Sequence, residues 1–357
     1  MFIQSFCKNN YKLSNRNYLD DYSNIITKEI DMTMSGRYLT EYPKLDIDLK
    51  ELDKYPLNTY AEELKKVIAE KNNIKNDIII GSGANGILQN LAKLYLGKGE
   101  NLIVPFYTFN QLEYAATTLK AHTKRVYMNE EKINFTNIIK SIDQKTKLIY
   151  ICNPNNPTGV YIESYKLLEF SKIVKKINKN VKLIIDESTI EFTNKESILD
   201  YKLPRNMIVV RTLSKAYGAA NLRVGYMVCN NDVYKEYVKN TTTNELSSII
   251  CKLAINILKS NLYKENVKLV LRQRDFLQNE LKNIGIETYN SNSNILLTKT
   301  TFTKSEIDNI EKNNISVVKV KDKNDRIHIR IAIQDECTNK AFINKLKKII
   351  SKNRENL

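Results

Sequence analysis

Histidine is almost absent from this chain, which holds two in 357 residues, His122 and His328. A histidine-rich zinc centre or a Ser-His-Asp triad has almost no material to draw on, so any chemistry must rest on other groups. Cysteine is sparse as well. Cys7, Cys152, Cys229, Cys251 and Cys337 are odd in number, widely scattered and never in a C-x-x-C pair, a pattern of reduced thiols. No apolar run reaches the roughly 18 residues that span a bilayer. The opening MFIQSFCKNNYK has neither the apolar length nor the small-residue cleavage site of a signal peptide. The expectation is a cytoplasmic protein with no membrane partner.

Positive charge is in excess, with 56 Lys and Arg against 40 Asp and Glu for a net +16. Such a balance can mark a nucleic-acid partner. Here the lysines are spread through helix-like segments, as at Lys172, Lys175, Lys176 and Lys179. A solvated basic surface is expected instead, compatible with anionic small molecules and without nucleic acid. The length suits a large domain plus a smaller one, with room for a cleft between them.

From about residue 77 short apolar runs alternate with helix-like segments, the pattern of a doubly wound α/β domain. Strands are predicted over 77–80, 101–105, 124–128, 147–152, 181–187, 207–212 and 225–229, and helices over 84–96, 111–119 and 163–177. These seven strands make one large, mostly parallel sheet. Residues 244–282 read as one long helical stretch leaving that domain. Beyond it, strands at 295–299, 315–320 and 326–333 with helices near 304–312 and 338–350 predict a small α+β domain. The division expected is 46–245 for the large domain, with 246–357 and an N-terminal arm, 1–45, forming the small one.

Four motifs carry chemistry. Gly81-Ser82-Gly83-Ala84-Asn85-Gly86 follows a strand and opens a helix, so its backbone N–H groups can cradle a phosphate. A dinucleotide site would want an acid at the end of the next strand, which ends in Pro105-Phe106. A single phosphate is favoured, with a plain tight turn as the alternative. Asn153-Pro154-Asn155-Asn156-Pro157-Thr158-Gly159 follows strand 147–152 at the edge where α/β ligands bind; it is either an ordinary loop or a stiff one that holds an amide against a ring oxygen. Asp186-Glu187 closes a very apolar strand, where an unpaired carboxylate is costly; it either caps the next loop or keeps the nitrogen of a pyridine ring protonated. Lys215, in Thr212-Leu213-Ser214-Lys215-Ala216-Tyr217-Gly218, is either a solvated loop lysine or, since it follows a buried strand, one that desolvation and nearby cations can free as nucleophile and base. Ser214 and Arg223 stand ready as further phosphate donors.

Taken in order, GSGANG, NPNNPTG, IIDE and TLSKAYGAANLRVGY resemble the class I/II aminotransferases of pyridoxal-phosphate (PLP) fold type I, most nearly the group of histidinol-phosphate aminotransferase and threonine-phosphate decarboxylase. The resemblance covers about residues 50–350. It implies PLP as cofactor, carried by Lys215 as a Schiff base, with Lys215 also moving the proton at the substrate's α-carbon. It assigns Asp186 to the ring nitrogen, Asn156 to the phenolic oxygen, and Ser214, Arg223 and the helix start Gly83, Ala84 and Asn85 to the phosphate. Tyr55 matches a tyrosine that reaches the phosphate from a neighbouring subunit, which implies a homodimer. Arg330, in the string IRIAI, matches the arginine that grips the α-carboxylate.

The departures from that pattern bear on substrate. Asn110 falls where an aromatic usually stacks on the ring, leaving Phe109 or Tyr107 as substitutes, and Thr189 stands where a tyrosine commonly bonds the phenolic oxygen. Gly86 replaces a usual acid, Met32-Thr33-Met34-Ser35-Gly36 replaces an Asn-Glu-Asn-Pro segment, and a second arginine for a substrate phosphate is missing near Val318 and Lys319. These changes argue against a true histidinol-phosphate aminotransferase. The expected reaction is amino transfer between an L-amino acid and a 2-oxo acid in a specialised biosynthetic pathway. The alternatives are decarboxylation or oxidation of an amino acid on the same scaffold and, more remotely, a non-catalytic ligand sensor.

Overall fold

The computed structural model describes residues 29–33, 53–128, 132–241 and 246–355. In chain order the elements are β1 (Ile30–Asp31), α1 (Asn58–Asn72), β2 (Asp77–Ser82), α2 (Gly83–Tyr95), β3 (Asn101–Pro105), α3 (Gln111–Thr118), β4 (His122–Val126), α4 (Phe135–Ser141), β5 (Thr146–Cys152), α5 (Ser164–Ile177), β6 (Lys182–Asp186) and β7 (Met207–Thr212). They continue through β8 (Val224–Cys229), α6 (Asn231–Asn240), α7 (Ser248–Lys259), α8 (Leu262–Asn283), β9 (Ile295–Leu297), α9 (Lys304–Lys312), β10 (Ile315–Ser316), β11 (Val318–Lys321), β12 (Ile327–Ala332) and α10 (Glu336–Glu355).

The seven predicted strands form one sheet in the order β2-β8-β7-β6-β5-β3-β4. It is an α/β fold with a mostly parallel central sheet, in which only β8 runs against its neighbours. The inner strands are continuous apolar runs because both faces are covered. Ile149, Ile151, Leu183, Ile185, Met207 and Val209 face one core with Leu167, Phe170 and Val174 of α5. Leu148, Tyr150, Ile184, Ile208 and Val210 face the other, with Ile87, Leu88 and Leu91 of α2. Each such side chain, fully buried, contributes about 1.5–3 kcal/mol to holding the helices on the sheet.

The C-terminal part builds a three-stranded antiparallel sheet, β11-β12-β9, backed by α8 and α10. Helix α9 starts where a capping box predicts: Thr303 Oγ1 accepts the Glu306 N–H, and the Glu306 carboxylate accepts the Thr303 N–H at 2.7 Å.

Three expectations need correction. The stretch 315–320 is two strands, since Ile315 pairs with Ile30 in a separate parallel pair whereas Val318 pairs with Arg330. The long helix of 244–282 breaks at Ser260-Asn261 into α7 and α8, and a freed carbonyl at the end of α7, that of Leu258, accepts the Lys71 ammonium at 2.7 Å. Strand β4 starts at His122, two residues ahead of the predicted 124, because Asn101 to Pro105 of β3 offer a full ladder to it. Of the expected N-terminal arm, residues 29–33 pack on the small sheet through β1–β10 and an Ala332 N–H donated to the Met32 carbonyl. The remainder of 1–45 lies outside the described residues, as does Cys7. No described helix is long and apolar enough to cross a membrane.

Candidate active site

The parallel strands bring their carboxyl ends to one edge. Cys152 lies opposite Asp186, and Asp186 opposite Val210, so the segments after β5, β6 and β7 emerge side by side. Strand β8 enters at that same edge, with Gly225 opposite Thr212 and Val224 opposite Ser82. The topology thus gathers Asn156, Asp186, Ser214, Lys215, Arg223 and the start of α2, which the sequence scatters over 140 positions.

At the start of α2 the glycines are required. Gly83 has φ +69°, and a Cβ there would lie 2.7 Å from Nη2 of Arg223, so the guanidinium sits directly over it. A Cβ on Gly225 would lie 2.4 Å from both the Ala84 nitrogen and the Gly83 carbonyl carbon, so β8 and the helix start touch backbone to backbone. The strand extends through Gly81 and Ser82, so the helix opens with Gly83, Ala84, Asn85 and Gly86 of the glycine-rich string. Ser214 is buried, its N–H and hydroxyl both engaged with Thr212 Oγ1. Arg223 thus lies over the start of α2, where free N–H groups and the positive end of the helix favour an anion.

Asp186 is 2% exposed. Its Oδ1 accepts the Ser188 N–H at 2.9 Å, and its Oδ2 accepts the Tyr150 hydroxyl at 2.7 Å. Burial raises its pKa, opposed by those two donors and by Lys215. Glu187, the next residue, turns to the opposite face and serves structure: Arg211 holds it at 2.8 Å, with Ser197 and the Ile198 N–H also donating to it. Lys215 is pushed down to about 8, first by burial, then by Arg330 and Arg223, with Asp186 opposing. An ε-amine so placed is neutral in a useful fraction near neutral pH.

Arg330 lies on β12 and is 2% exposed. Its Nη1 donates to Asn156 Oδ1 at 3.5 Å and its Nη2 to the Thr33 carbonyl, tying together the small sheet, the loop after β5 and the N-terminal segment. Residues 34–36 of the departing segment lie outside the described residues. The loop itself is fixed from several sides: Asn155 donates to the Tyr107 carbonyl at 2.9 Å, and the Gly159 carbonyl accepts the Asn292 N–H at 2.7 Å.

The other expected residues are more loosely placed. Phe109 is half-buried against the core cluster of α2 and β3. Asn110 is buried and donates to the Tyr114 hydroxyl at 3.2 Å. Thr189 precedes a short 3-10 turn after β6, and Tyr55 is 94% exposed. Lys319 faces away from Arg330 and bonds Glu311 of α9 at 3.1 Å. Tyr150 and Ser188 escaped the sequence reading, and Thr33 entered it only within the segment 32–36, not as a partner of Arg330. Only Tyr150 had a signal, a tyrosine two positions before Cys152 in an otherwise aliphatic run, and it gains meaning once β5 is known to pair with β6.

Comparison with known proteins agrees with this fold. The family model for aminotransferase class I and II matches residues 4–342. Histidinol-phosphate aminotransferase of Caldanaerobacter subterraneus is 32% identical over 249 residues, 69% of each chain. That of Methanosphaera stadtmanae is 29% identical over 318 residues, covering 85% of this chain and 84% of its own. Among solved structures, the Clostridium acetobutylicum histidinol-phosphate aminotransferase superposes with a TM-score of 0.79 at 25% identity, covering 90% of this chain and 99% of its own. The Sinorhizobium meliloti one, solved in complex with pyridoxal-5'-phosphate, gives 0.81 at 18% identity, over 91% and 92%. The chain belongs to the class I and II aminotransferases, the PLP-dependent fold type I enzymes its motifs resemble.

Proposed function

We propose that this protein transfers an amino group between an L-amino acid and a 2-oxo acid, with Lys215 as the residue that holds PLP and moves the proton at the substrate's α-carbon. The observation that carries the reading is the meeting of one depressed lysine, one buried carboxylate and Arg223 at one edge of the large sheet, with Arg330 of the small sheet facing Lys215. When bound, PLP supplies a protonated ring that takes up the electron pair left on the α-carbon.

The residues fit that group. Arg223 over Gly83, with Ser214 and the N–H groups of Ala84 and Asn85, would hold its phosphate. Asp186, out of reach of bulk water, would face the ring nitrogen and keep it protonated, and Asn156 would donate to the phenolic oxygen. Phe109 and Asn110, from the loop after β3, and Thr189, after β6, would flank the ring. Arg330 would grip the α-carboxylate as a bidentate pair, which would fix the α-carbon where the Lys215 amine can take its proton.

Tyr55 fits a role across a homodimer interface, because a tyrosine 94% exposed in the single chain is short of a partner surface. The reading includes a large domain of 46–245, a small domain of 246–357 with the arm 1–45, a cytoplasmic setting supported by unpaired Cys152, Cys229, Cys251 and Cys337, and a specialised biosynthetic pathway. A panel of amino donors, assayed with and without 2-oxoglutarate, tests the reaction type. Turnover that requires the oxo acid supports amino transfer; release of carbon dioxide or peroxide without it contradicts amino transfer.

A further inference from the structure

We infer that the amino donor presents an apolar side chain, aliphatic or aromatic, to a wall of Leu297, Val318, Val320, Tyr107 and Tyr289, and that a phosphate-bearing side chain is disfavoured there. The inference rests on Arg330 as the carboxylate grip and deepens that reading. In the small sheet Arg330 lies opposite Val318 on one side and Leu297 on the other. Residues directly opposite share a face, so these two side chains flank the arginine. Strand β11 alternates Val318, Lys319, Val320, Lys321, which puts both valines on the face of Arg330 and both lysines on the other.

The valines and Leu297 form an apolar cluster apart from the two main cores, joined by half-buried Tyr107 and Tyr289. Tyr107 follows β3 at the cofactor edge, and its carbonyl accepts from Asn155, the neighbour of Asn156. The cluster therefore runs from Arg330 to the loop after β3 that Asn155 fastens. An amino acid held by its carboxylate at Arg330 has its side chain one carbon further on, within reach of this surface.

The polar groups nearby are engaged elsewhere, including His328, which lies opposite Val320 on the Arg330 face and bonds the Thr298 carbonyl at 2.9 Å. Lys319 bonds Glu311 at 3.1 Å, Arg326 bonds Asp322 at 2.6 Å, and Lys299 lies over the Tyr289 ring at 5.3 Å. A phosphate against the wall would lose water without gaining a dedicated partner, whereas an apolar group gains by leaving water.

Calorimetry on the holoenzyme with two carboxylates of matched length tests this. We expect 3-phenylpropionate to bind at least about tenfold tighter than 3-phosphonopropionate, and the isosteric Val318→Thr to weaken 3-phenylpropionate about threefold or more. Tighter binding of the phosphonate, or a folded Val318→Thr with unchanged affinity for 3-phenylpropionate, overturns the inference. Arg330→Ala separates the two layers: both ligands should lose affinity, and if 3-phenylpropionate binds it undiminished, the carboxylate grip itself is wrong and the inference goes with it. A phosphonate preference that still depends on Arg330 overturns the apolar wall alone.

Discussion

The hydroxyl of Tyr150 on β5 donates to Oδ2 of Asp186 on β6 at 2.7 Å, with both side chains sealed from solvent. The tyrosine favours the charged carboxylate in a place where burial disfavours it. Tyr150→Phe removes a hydrogen bond to an ionised group, worth about 1.5–3 kcal/mol. The variant should hold PLP about tenfold or more weakly. The deficit should widen as pH falls, because the Asp186 pKa, already raised, rises further and a protonated acid no longer secures the ring nitrogen. Cofactor dissociation followed by absorbance across pH measures this; an affinity equal to the parent at every pH contradicts it.

Lys215 gives a second prediction. With its pKa at about 8, roughly a tenth of the amine is neutral at pH 7 and most of it is neutral above about pH 9. The rate at which apoenzyme captures PLP should rise with pH and level off above about 9. A rate still climbing through about pH 10 shows an ordinary lysine. Because Arg330 lowers this pKa, Arg330→Ala should move the midpoint upward.

Tyr55 makes subunit mixing informative. Lys215→Ala and Tyr55→Ala should each be nearly inactive alone. If the tyrosine acts across a homodimer, random exchange restores about a quarter of the sites, since half the dimers are mixed and each has one intact site. Activity that stays flat on mixing, with exchange verified, contradicts a shared site.

The Glu187–Arg211 pair, 0% and 5% exposed at its side chains, ties β6 to β7 directly behind Asp186 and Lys215. Arg211→Met leaves a buried carboxylate without its cation and should lower stability by about 3–5 kcal/mol. Glu187→Leu combined with Arg211→Met should recover most of it. Urea unfolding midpoints read both; a single variant as stable as the parent contradicts the pairing.

The large sheet is legible in the sequence because buried parallel strands are unbroken apolar runs, as in Leu148 to Cys152 and Met207 to Val210, and their ends carry the chemistry-bearing residues. The motif order likewise points to Lys215, Asp186, Asn156 and Arg223. Contacts between strands are another matter. Nothing local to Tyr150 shows that it meets Asp186, and the lysines of β11 betray their outward turn only once Val318 is known to lie opposite Arg330. The split at Val317 was hidden for the same reason, since Ile315 and Val318 look alike until their partners, Ile30 and Arg330, assign them to different sheets.

The most direct test is covalent. Protein reconstituted with PLP, reduced with borohydride and digested should carry the cofactor's mass on the peptide containing Lys215, and Lys215→Ala should carry none. A reduced protein with no adduct at Lys215, or with the adduct on another lysine, contradicts the account.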